Sequence, residues 1–230
     1  MQPEWRVFAD ADSLVVALAD ALCAEAGAAI AARGAFHLVL AGGSTPRELY
    51  RALADRYAGD ARWQVWYGDE RCLPLDHPER NSVMSEAAWL AASGIPPENR
   101  RPIPAERGAR EAAAVYDEWL EGVGDFDVVL LGMGEDGHTA SLFPDHNRGG
   151  APGSPDVLAV LDAPKPPPER VSLSAARLSR SRRVWFVITG SGKRDALTRW
   201  KNGETLPVSA VRGKLDTVAW LDAAAWPAAE

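Results

Sequence analysis

This sequence contains few cysteines and few histidines, which limits the disulfide and metal chemistry open to it. Its two cysteines, Cys23 and Cys72, are too few for a disulfide framework and are not spaced as a metal knuckle. None of its four histidines stands at a recognised metal-ligand spacing from another ligand. We therefore expect a reducing compartment and no metal site.

A long apolar run and an excess of basic residues are also missing. The amino terminus has no basic region followed by an apolar core, and no stretch reaches about 18 uninterrupted apolar residues. Lysine and arginine number 25 against 32 aspartates and glutamates, so the formal net charge is -7 at pH 7. We expect a cytoplasmic protein with neither a membrane nor a nucleic acid as partner, in which any anionic ligand is bound by a local site.

The composition that is present, 47% hydrophobic and 25% charged residues over 230 positions, is typical of a folded globular protein. This length suits a single domain with a substantial core, and we predict one domain over residues 1–230. The proline-rich run KPPP at 165–168 resembles an interdomain linker in composition. Because strands are predicted on both sides of it, we interpret it as a stiff loop.

Short apolar runs alternate with segments of helical spacing along the chain. The runs at 36–40, 63–67 and 126–131 predict buried strands that lead into glycine-containing turns. Such alternation predicts an α/β fold with three layers, in which helices cover both faces of a mostly parallel, Rossmann-like sheet. The predicted helices are 13–33, 46–57, 81–92, 109–121 and 193–200, and the further predicted strands are 157–161, 171–173, 184–189 and 218–221.

A glycine-rich turn, AGGSTP at 41–46, follows the first of these strands. Its glycines let the backbone approach a ligand, and Ser44 or Thr45 with the following proline is suited to begin a helix. The free amides and positive dipole end of that helix would suit a phosphate. An ordinary tight turn with a threonine cap explains the same residues equally well. The Walker and dinucleotide patterns are absent, so a nucleotide is not the implied ligand.

A charged segment, GDER at 68–71, follows the strand predicted at 63–67. The carboxyl ends of strands border the ligand crevice of open α/β sheets. Arg71 is suited to bind an oxyanion through two hydrogen bonds, and Asp69 and Glu70 are suited to orient it or to contact sugar hydroxyls. A solvated cluster of surface charges is the alternative, and only the position of the segment favours a site.

The strongest motif, LGMGEDGHTASLFP at 131–144, begins where the strand 126–131 ends. A histidine titrates near neutral pH and can take a proton from water, while amides in a glycine turn can stabilise an oxyanion. We therefore predict that His138 acts as a general base, with Asp136 or Glu135 fixing its tautomer. No Gly-x-Ser-x-Gly elbow is present between a strand and a helix, so covalent catalysis is not predicted.

Three later cations, Lys165, Arg170 and Lys193, lie near the ends of predicted strands or the start of a helix. Each would by itself be an ordinary surface charge. They become relevant to a site only if the fold brings them to the glycine turn at 41–46.

Four blocks in this order resemble the 6-phosphogluconolactonase family: AGGSTP, YGDERCLPLDHPERNS, LLGMGEDGHTASLFPDH, and KPPPERVSLS with GSGKRDAL. The resemblance covers residues 40 to about 197, and the third block is specific. It implies a fold similar to that of glucosamine-6-phosphate deaminase. It also implies hydrolysis of 6-phospho-D-glucono-1,5-lactone to 6-phosphogluconate in the oxidative pentose phosphate pathway, without a metal or organic cofactor.

The resemblance implies a role for individual residues as well. His138 would activate water as the general base, and Asp136 would support it. The sugar-phosphate lactone is the one partner implied, and both a monomer and a dimer stay open. The stretch 145–154 departs from the compact acidic loop expected there, which leaves the rim of the site open. The residues implied to bind substrate and phosphate are Gly43, Ser44, Thr45, Arg71, Lys165 and Arg170.

Two other functions compete with this one. Glucosamine-6-phosphate deaminase resembles the same pattern, but the residues after its Asp-Gly-His turn resemble Ile-Ala-Phe-Asn-Glu, whereas residues 139–144 here are TASLFP and lack the glutamate. A non-catalytic sugar-phosphate sensor would normally add a DNA-binding helix-turn-helix, and neither end has a spare basic segment of about 50 residues. The lactonase is therefore the favoured prediction.

Overall fold

The computed structural model describes residues 2–56 and 60–227, which form ten β-strands and six α-helices. The strands are β1 (Glu4–Phe8), β2 (Phe36–Leu40), β3 (Trp63–Tyr67), β4 (Asp69–Arg71), β5 (Arg100–Arg101), β6 (Phe126–Leu131), β7 (Val157–Val160), β8 (Arg170–Leu173), β9 (Ser181–Ile188) and β10 (Asp216–Asp222). The helices are α1 (Ala11–Arg33), α2 (Ser44–Arg56), α3 (Asn81–Ala88), α4 (Ala109–Trp119), α5 (Ala175–Ser179) and α6 (Arg194–Lys201).

Seven strands form the main sheet in the order β1-β10-β9-β6-β2-β3-β5, and every neighbouring pair is parallel. From β2 the chain continues to β3 and β5 on one side, whereas from β6 it continues to β9 and β10 on the other. The adjacent carboxyl ends of β2 and β6 therefore form a topological switch point. Ligands of open α/β sheets bind at such a point.

A smaller antiparallel sheet, in the order β4-β8-β7, stands beside the end of β3. Strand β4 begins two residues after β3 ends, and the Gly68 carbonyl between them accepts a hydrogen bond from the Leu173 amide. Within this sheet Arg71 is paired with Arg170. The small sheet thereby brings residues that are about 100 positions apart to the edge of the switch point.

Helix α1 begins with a capping box, in which Asp10 and Ser13 satisfy each other's backbone N–H groups. Among the described helices, it alone is long and apolar enough to cross a membrane by length and composition. Its leucines Leu14, Leu18 and Leu22 are fully buried, and it packs on α2 and on strands of the main sheet. These contacts identify α1 as a core helix.

The structure confirms the predicted α/β fold with a mostly parallel sheet flanked by helices. Strand β1 was not predicted, because its sequence EWRVF is a mainly exposed edge strand with little apolar signal. The helix predicted at 81–92 is α-helical only over Asn81–Ala88 and ends in a short 3-10 turn. The helix predicted at 46–57 begins earlier, at Ser44, and Tyr57 lies outside the described residues. The prolines at 166–168 lie in the connection between the paired strands β7 and β8.

Candidate active site

A cavity of about 280 Å³ opens at the switch point between β2 and β6. It is bordered by the turns after these strands, by β4, and by the amino end of α3. A second cavity, of about 600 Å³, lies beside α3 and is lined mainly by apolar side chains. A phosphorylated ligand requires cations and hydrogen-bond donors, which the cavity at the switch point supplies. Its charged lining consists of Asp69, Arg71, Glu135, His138, Lys165, Arg170 and Lys193.

The turn after β6, residues 132–138, holds the predicted general base and is called the base turn here. Its backbone is closed by a hydrogen bond from the Gly134 amide to the His138 carbonyl at 2.8 Å. The Asp136 carboxylate lies 2.5 Å from Nδ1 of His138, so the two residues predicted to act together are in contact. A Cβ at Gly134 would lie 2.0 Å from the same Nδ1, which is why only glycine fits that position.

The electrostatic surroundings keep the imidazole of His138 neutral. Burial lowers its pKa, and this outweighs the opposite effect of the Asp136 carboxylate, while the charge of Lys165 lowers the pKa further. Burial raises the pKa of Asp136, but the hydrogen bonds from His138 together with the charge of Lys165 lower it overall. An ionised Asp136 only accepts hydrogen bonds, so Nδ1 carries the proton and Nε2 has the free lone pair.

Asp69 occupies the opposite wall of the cavity and is 8% exposed. One carboxylate oxygen accepts a hydrogen bond from Nδ2 of Asn81 at 3.1 Å. The other accepts one from Oγ of Ser141 at 2.6 Å, which joins β4 to the segment that follows His138. Both oxygens are thus held in place, an arrangement suited to orienting neighbouring groups.

Glu70 points away from the cavity and is fully buried. Its carboxylate accepts hydrogen bonds from the amides of Asn81 and Ser82 at 2.7 and 2.9 Å, so it caps the amino end of α3. It also faces Nε of the buried Arg80 at 3.6 Å. The contact with sugar hydroxyls considered for Glu70 is therefore wrong, since successive side chains of β4 point to opposite faces and only Asp69 and Arg71 line the cavity.

The glycine turn after β2 contributes to the site in three different ways. Gly43 lines the cavity, whereas Ser44, the first residue of α2, lines an adjoining cleft of about 220 Å³ together with Arg71. The hydroxyl of Thr45 lies 2.6 Å from the hydroxyl of Thr189 at the end of β9. The side chain of Thr45 is therefore engaged in joining α2 to the sheet.

The three cations implied to bind the substrate, Arg71, Lys165 and Arg170, line the cavity, and Lys193 does so as well. Arg71 donates one hydrogen bond to the Glu79 carbonyl at 2.5 Å, and its buried Nε has no hydrogen-bond partner in the described structure. Lys193, at the amino end of α6, was recognised in the sequence only as an isolated cation. None of these four cations, Arg71, Lys165, Arg170 and Lys193, forms an ion pair with a carboxylate of the described residues.

Asn81 is a site residue that sequence reasoning missed. Its side-chain Nδ2 donates hydrogen bonds to both the backbone carbonyl and the carboxylate of Asp69. Its Oδ1 packs so closely on Gly42 that a Cβ at Gly42 would lie only 1.9 Å from it. Asn81 thus links the glycine turn, β4 and α3 at one edge of the cavity. The only signal for it in the sequence was its position at the start of a predicted helix.

Within residues 2–56 and 60–227, no group of three or more His, Cys, Asp or Glu side chains is arranged to hold a metal ion.

Known proteins resemble this chain in both sequence and structure. The family model described as glucosamine-6-phosphate isomerases/6-phosphogluconolactonase matches residues 9–220. A 6-phosphogluconolactonase of Mycobacterium tuberculosis is 37% identical, and the match covers 96% of each chain. The solved structure of a 6-phosphogluconolactonase from Thermotoga maritima has a TM-score of 0.88 at 27% identity, and the match covers 95% of this chain and 99% of that one.

A monomeric glucosamine-6-phosphate deaminase also has this fold, with a TM-score of 0.79 at 18% identity over 96% of this chain and 98% of the other. The predicted similarity in fold to that enzyme is thereby confirmed. The matches extend over nearly the whole chain, and they include the glycine turn, β4 and the base turn. This chain belongs to the family of glucosamine-6-phosphate isomerases and 6-phosphogluconolactonases.

Proposed function

We propose that this protein hydrolyses 6-phospho-D-glucono-1,5-lactone to 6-phosphogluconate, the second step of the oxidative pentose phosphate pathway. The observation that carries the proposal is the contact of the Asp136 carboxylate with the partly buried imidazole of His138, in a cavity lined by four cations. The relatives named 6-phosphogluconolactonase, at 37% identity over nearly the full chain, support the substrate. The enzyme is a carboxylic ester hydrolase.

The proposed reaction begins when Nε2 of His138 takes a proton from a water molecule. The water oxygen attacks the lactone carbonyl carbon, and the carbonyl oxygen becomes negatively charged in the tetrahedral intermediate. Positive charge and amide donors of the cavity wall stabilise that oxygen. The bond from the carbon to the ring oxygen then breaks, and the ring oxygen takes the proton from the imidazolium. Asp136 keeps the proton on Nδ1 and stabilises the imidazolium between these two steps.

The phosphate is proposed to lie between the glycine turn and the cationic side chains that line the cavity. The amino end of α2, with Gly43, Ser44 and Thr45, offers backbone amides and a positive dipole end. Thr45 contributes through its backbone, because its hydroxyl contacts Thr189. The charged partners are Arg71 and Lys165, together with Lys193. Binding at the phosphate is remote from the carbonyl and supplies energy for orienting it. Arg170 was predicted to take part directly, but its guanidinium donates hydrogen bonds to three backbone carbonyls of residues 165–167.

The segment after His138 disfavours deamination of glucosamine 6-phosphate. Residues 139–144 supply no carboxylate to the cavity. Phe143, which is fully buried, packs against His138 with 4.8 Å between the two ring centroids.

We also propose that residues 1–230 form one domain that acts in the cytoplasm on a small molecule, without a nucleic-acid or membrane partner. The net charge of -7 and the core position of α1 support this.

A coupled assay tests the proposal. The lactone is generated in situ from glucose 6-phosphate by a dehydrogenase, and the appearance of 6-phosphogluconate is followed with and without the purified protein. We expect acceleration well above the spontaneous hydrolysis, which must be subtracted. No acceleration, combined with release of ammonia from glucosamine 6-phosphate, would replace this proposal by the deaminase.

A further inference from the structure

The connection 161–169 between β7 and β8, called the strap here, runs along the edge of the cavity and carries Lys165 into its lining. Most of its residues are exposed. A hydrogen bond from the Ala163 amide to the Pro168 carbonyl at 2.9 Å closes it on itself. The four residues between these two are not part of either strand, and the backbone carbonyls of three of them are bound by one side-chain group.

That group is the guanidinium of Arg170, which begins β8 and is only 5% exposed. Its Nε donates to the Pro167 carbonyl at 3.1 Å, and its Nη2 donates to the carbonyls of Lys165 and Pro166, each at 3.0 Å. The planar guanidinium thus binds three consecutive carbonyls at once, which a point charge such as a lysine ammonium is not shaped to do. The ring of Phe143 lies 5.6 Å away and supports the guanidinium.

Two further observations connect this arrangement with the strap. In the antiparallel ladder Arg170 stands directly opposite Arg71, a placement in which like charges repel. The partial negative charges of the three carbonyls offset that repulsion. Meanwhile the ammonium of Lys165 forms no ion pair or hydrogen bond with the described residues, and its charge acts on both Asp136 and His138. Arg170 is committed to the strap, and Lys165 is free to meet an anion.

We propose that Arg170 is a positioning residue, which fixes the backbone of the strap so that Lys165 is presented to the phosphate of the substrate. The Nη1 nitrogen is the only part of the guanidinium that the three carbonyls leave unoccupied. The inference rests on the proposed function, in which Lys165 binds the phosphate. It replaces the prediction that Arg170 binds the phosphate directly.

A double-mutant cycle with Lys165 tests this role. Arg170→Lys is the main variant because it keeps the positive charge, and Arg170→Met is its neutral companion. We expect both to raise KM by about 10-fold with kcat near the wild-type value, as for Lys165→Met, which loses a charge-assisted hydrogen bond. In the Lys165→Met background, Arg170→Lys should change KM by less than about twofold, since the strap then has no ammonium to present.

Thermal unfolding of each variant shows whether the fold is retained, and Arg110→Lys, on the exposed face of α4, is the matched control that should keep the wild-type KM. A wild-type KM for Arg170→Lys, or effects that multiply in the double variant, would overturn the positioning role. A wild-type KM for Lys165→Met would instead contradict the proposed phosphate site. The two failures are therefore distinguishable.

Discussion

The base turn and the strap form two walls of one cavity, but they are held in different ways. The base turn at 132–138 closes on itself through its own backbone, and the Val208 amide braces it from outside through a hydrogen bond to the Gly137 carbonyl at 3.0 Å. The strap at 161–169 is mostly exposed. One internal backbone hydrogen bond closes it, and a single side chain, Arg170, binds the carbonyls of residues 165–167 at its middle. Under the proposed function, the general base would lie in a turn closed by local hydrogen bonds, whereas the phosphate site would be assembled from distant segments.

The largest effect should come from removing the base itself. His138→Ala should lower kcat by about 10²-fold or more with a modest change in KM, because a proton-transfer step is lost. Steady-state kinetics in the coupled assay, with spontaneous hydrolysis subtracted, measures both constants. His146→Ala, in the loop after the base turn, is the matched control and should keep its kcat. If His138→Ala retained the wild-type kcat, the base turn would have no catalytic role.

Crowding the base turn should be almost as damaging as removing its base. In Gly134→Ala the new methyl group would lie 2.0 Å from Nδ1 of His138, so the imidazole must move. A displacement of about 1 Å can lower kcat by about 10²-fold. Gly150→Ala is the control, since no atom lies within 4 Å of the added methyl there. Equal kcat values for the two variants would show that the base turn is not rigid.

Neutralising the partner of the base should change the pH profile as well as the rate. Asp136→Asn should lower kcat by about 10-fold or more, as for groups that orient a functional histidine. The Asp136 carboxylate opposes the effect of burial on His138 and raises its pKa. Its loss should therefore lower the pKa of His138 and move the acidic limb of kcat/KM to lower pH. A limb that moved to higher pH would contradict this assignment.

Arg71 lies in β4, opposite the Arg170 that binds the strap, and Arg71→Ala should act on binding. We expect KM to rise by about 10-fold with kcat little changed, because a charge-assisted contact to the phosphate is lost. Inhibition by inorganic phosphate provides a second readout and should weaken in parallel. A fall in kcat as large as that of His138→Ala would place Arg71 in the chemistry and would remove the distinction between the base turn and the proposed phosphate site.

The sequence was sufficient to predict the base turn because its parts are local. His138 and Asp136 are two positions apart in a glycine turn after an apolar strand, and local geometry alone brings them into contact. Strands β2, β3 and β6 to β10, together with every helix except α5, were likewise predictable from apolar spacing, whereas β1, β4 and β5 were not. Where the prediction was less complete, as at β1, the segment was exposed and carried little apolar signal.

The arrangement of the cations around the cavity could not be predicted in the same way. Arg71 and Arg170 are brought together by pairing of β4 with β8, a contact over about 100 residues that no local pattern specifies. The segment 68–71 had no strand signal, so the alternation that turns Glu70 away from the cavity was not visible. Asn81 entered the site through the packing of α3 against Asp69. Tertiary pairing, rather than composition, decides which charges face the ligand.

Binding of the product measures most directly whether the base turn and the proposed phosphate site have separate roles. Isothermal titration of 6-phosphogluconate into the wild-type protein, His138→Ala and Arg71→Ala avoids the background of spontaneous lactone hydrolysis. We expect this separation of roles to give a wild-type Kd for His138→Ala and a Kd weakened by about 10-fold for Arg71→Ala. The opposite result, a weakened Kd for His138→Ala with an unchanged Kd for Arg71→Ala, would contradict it.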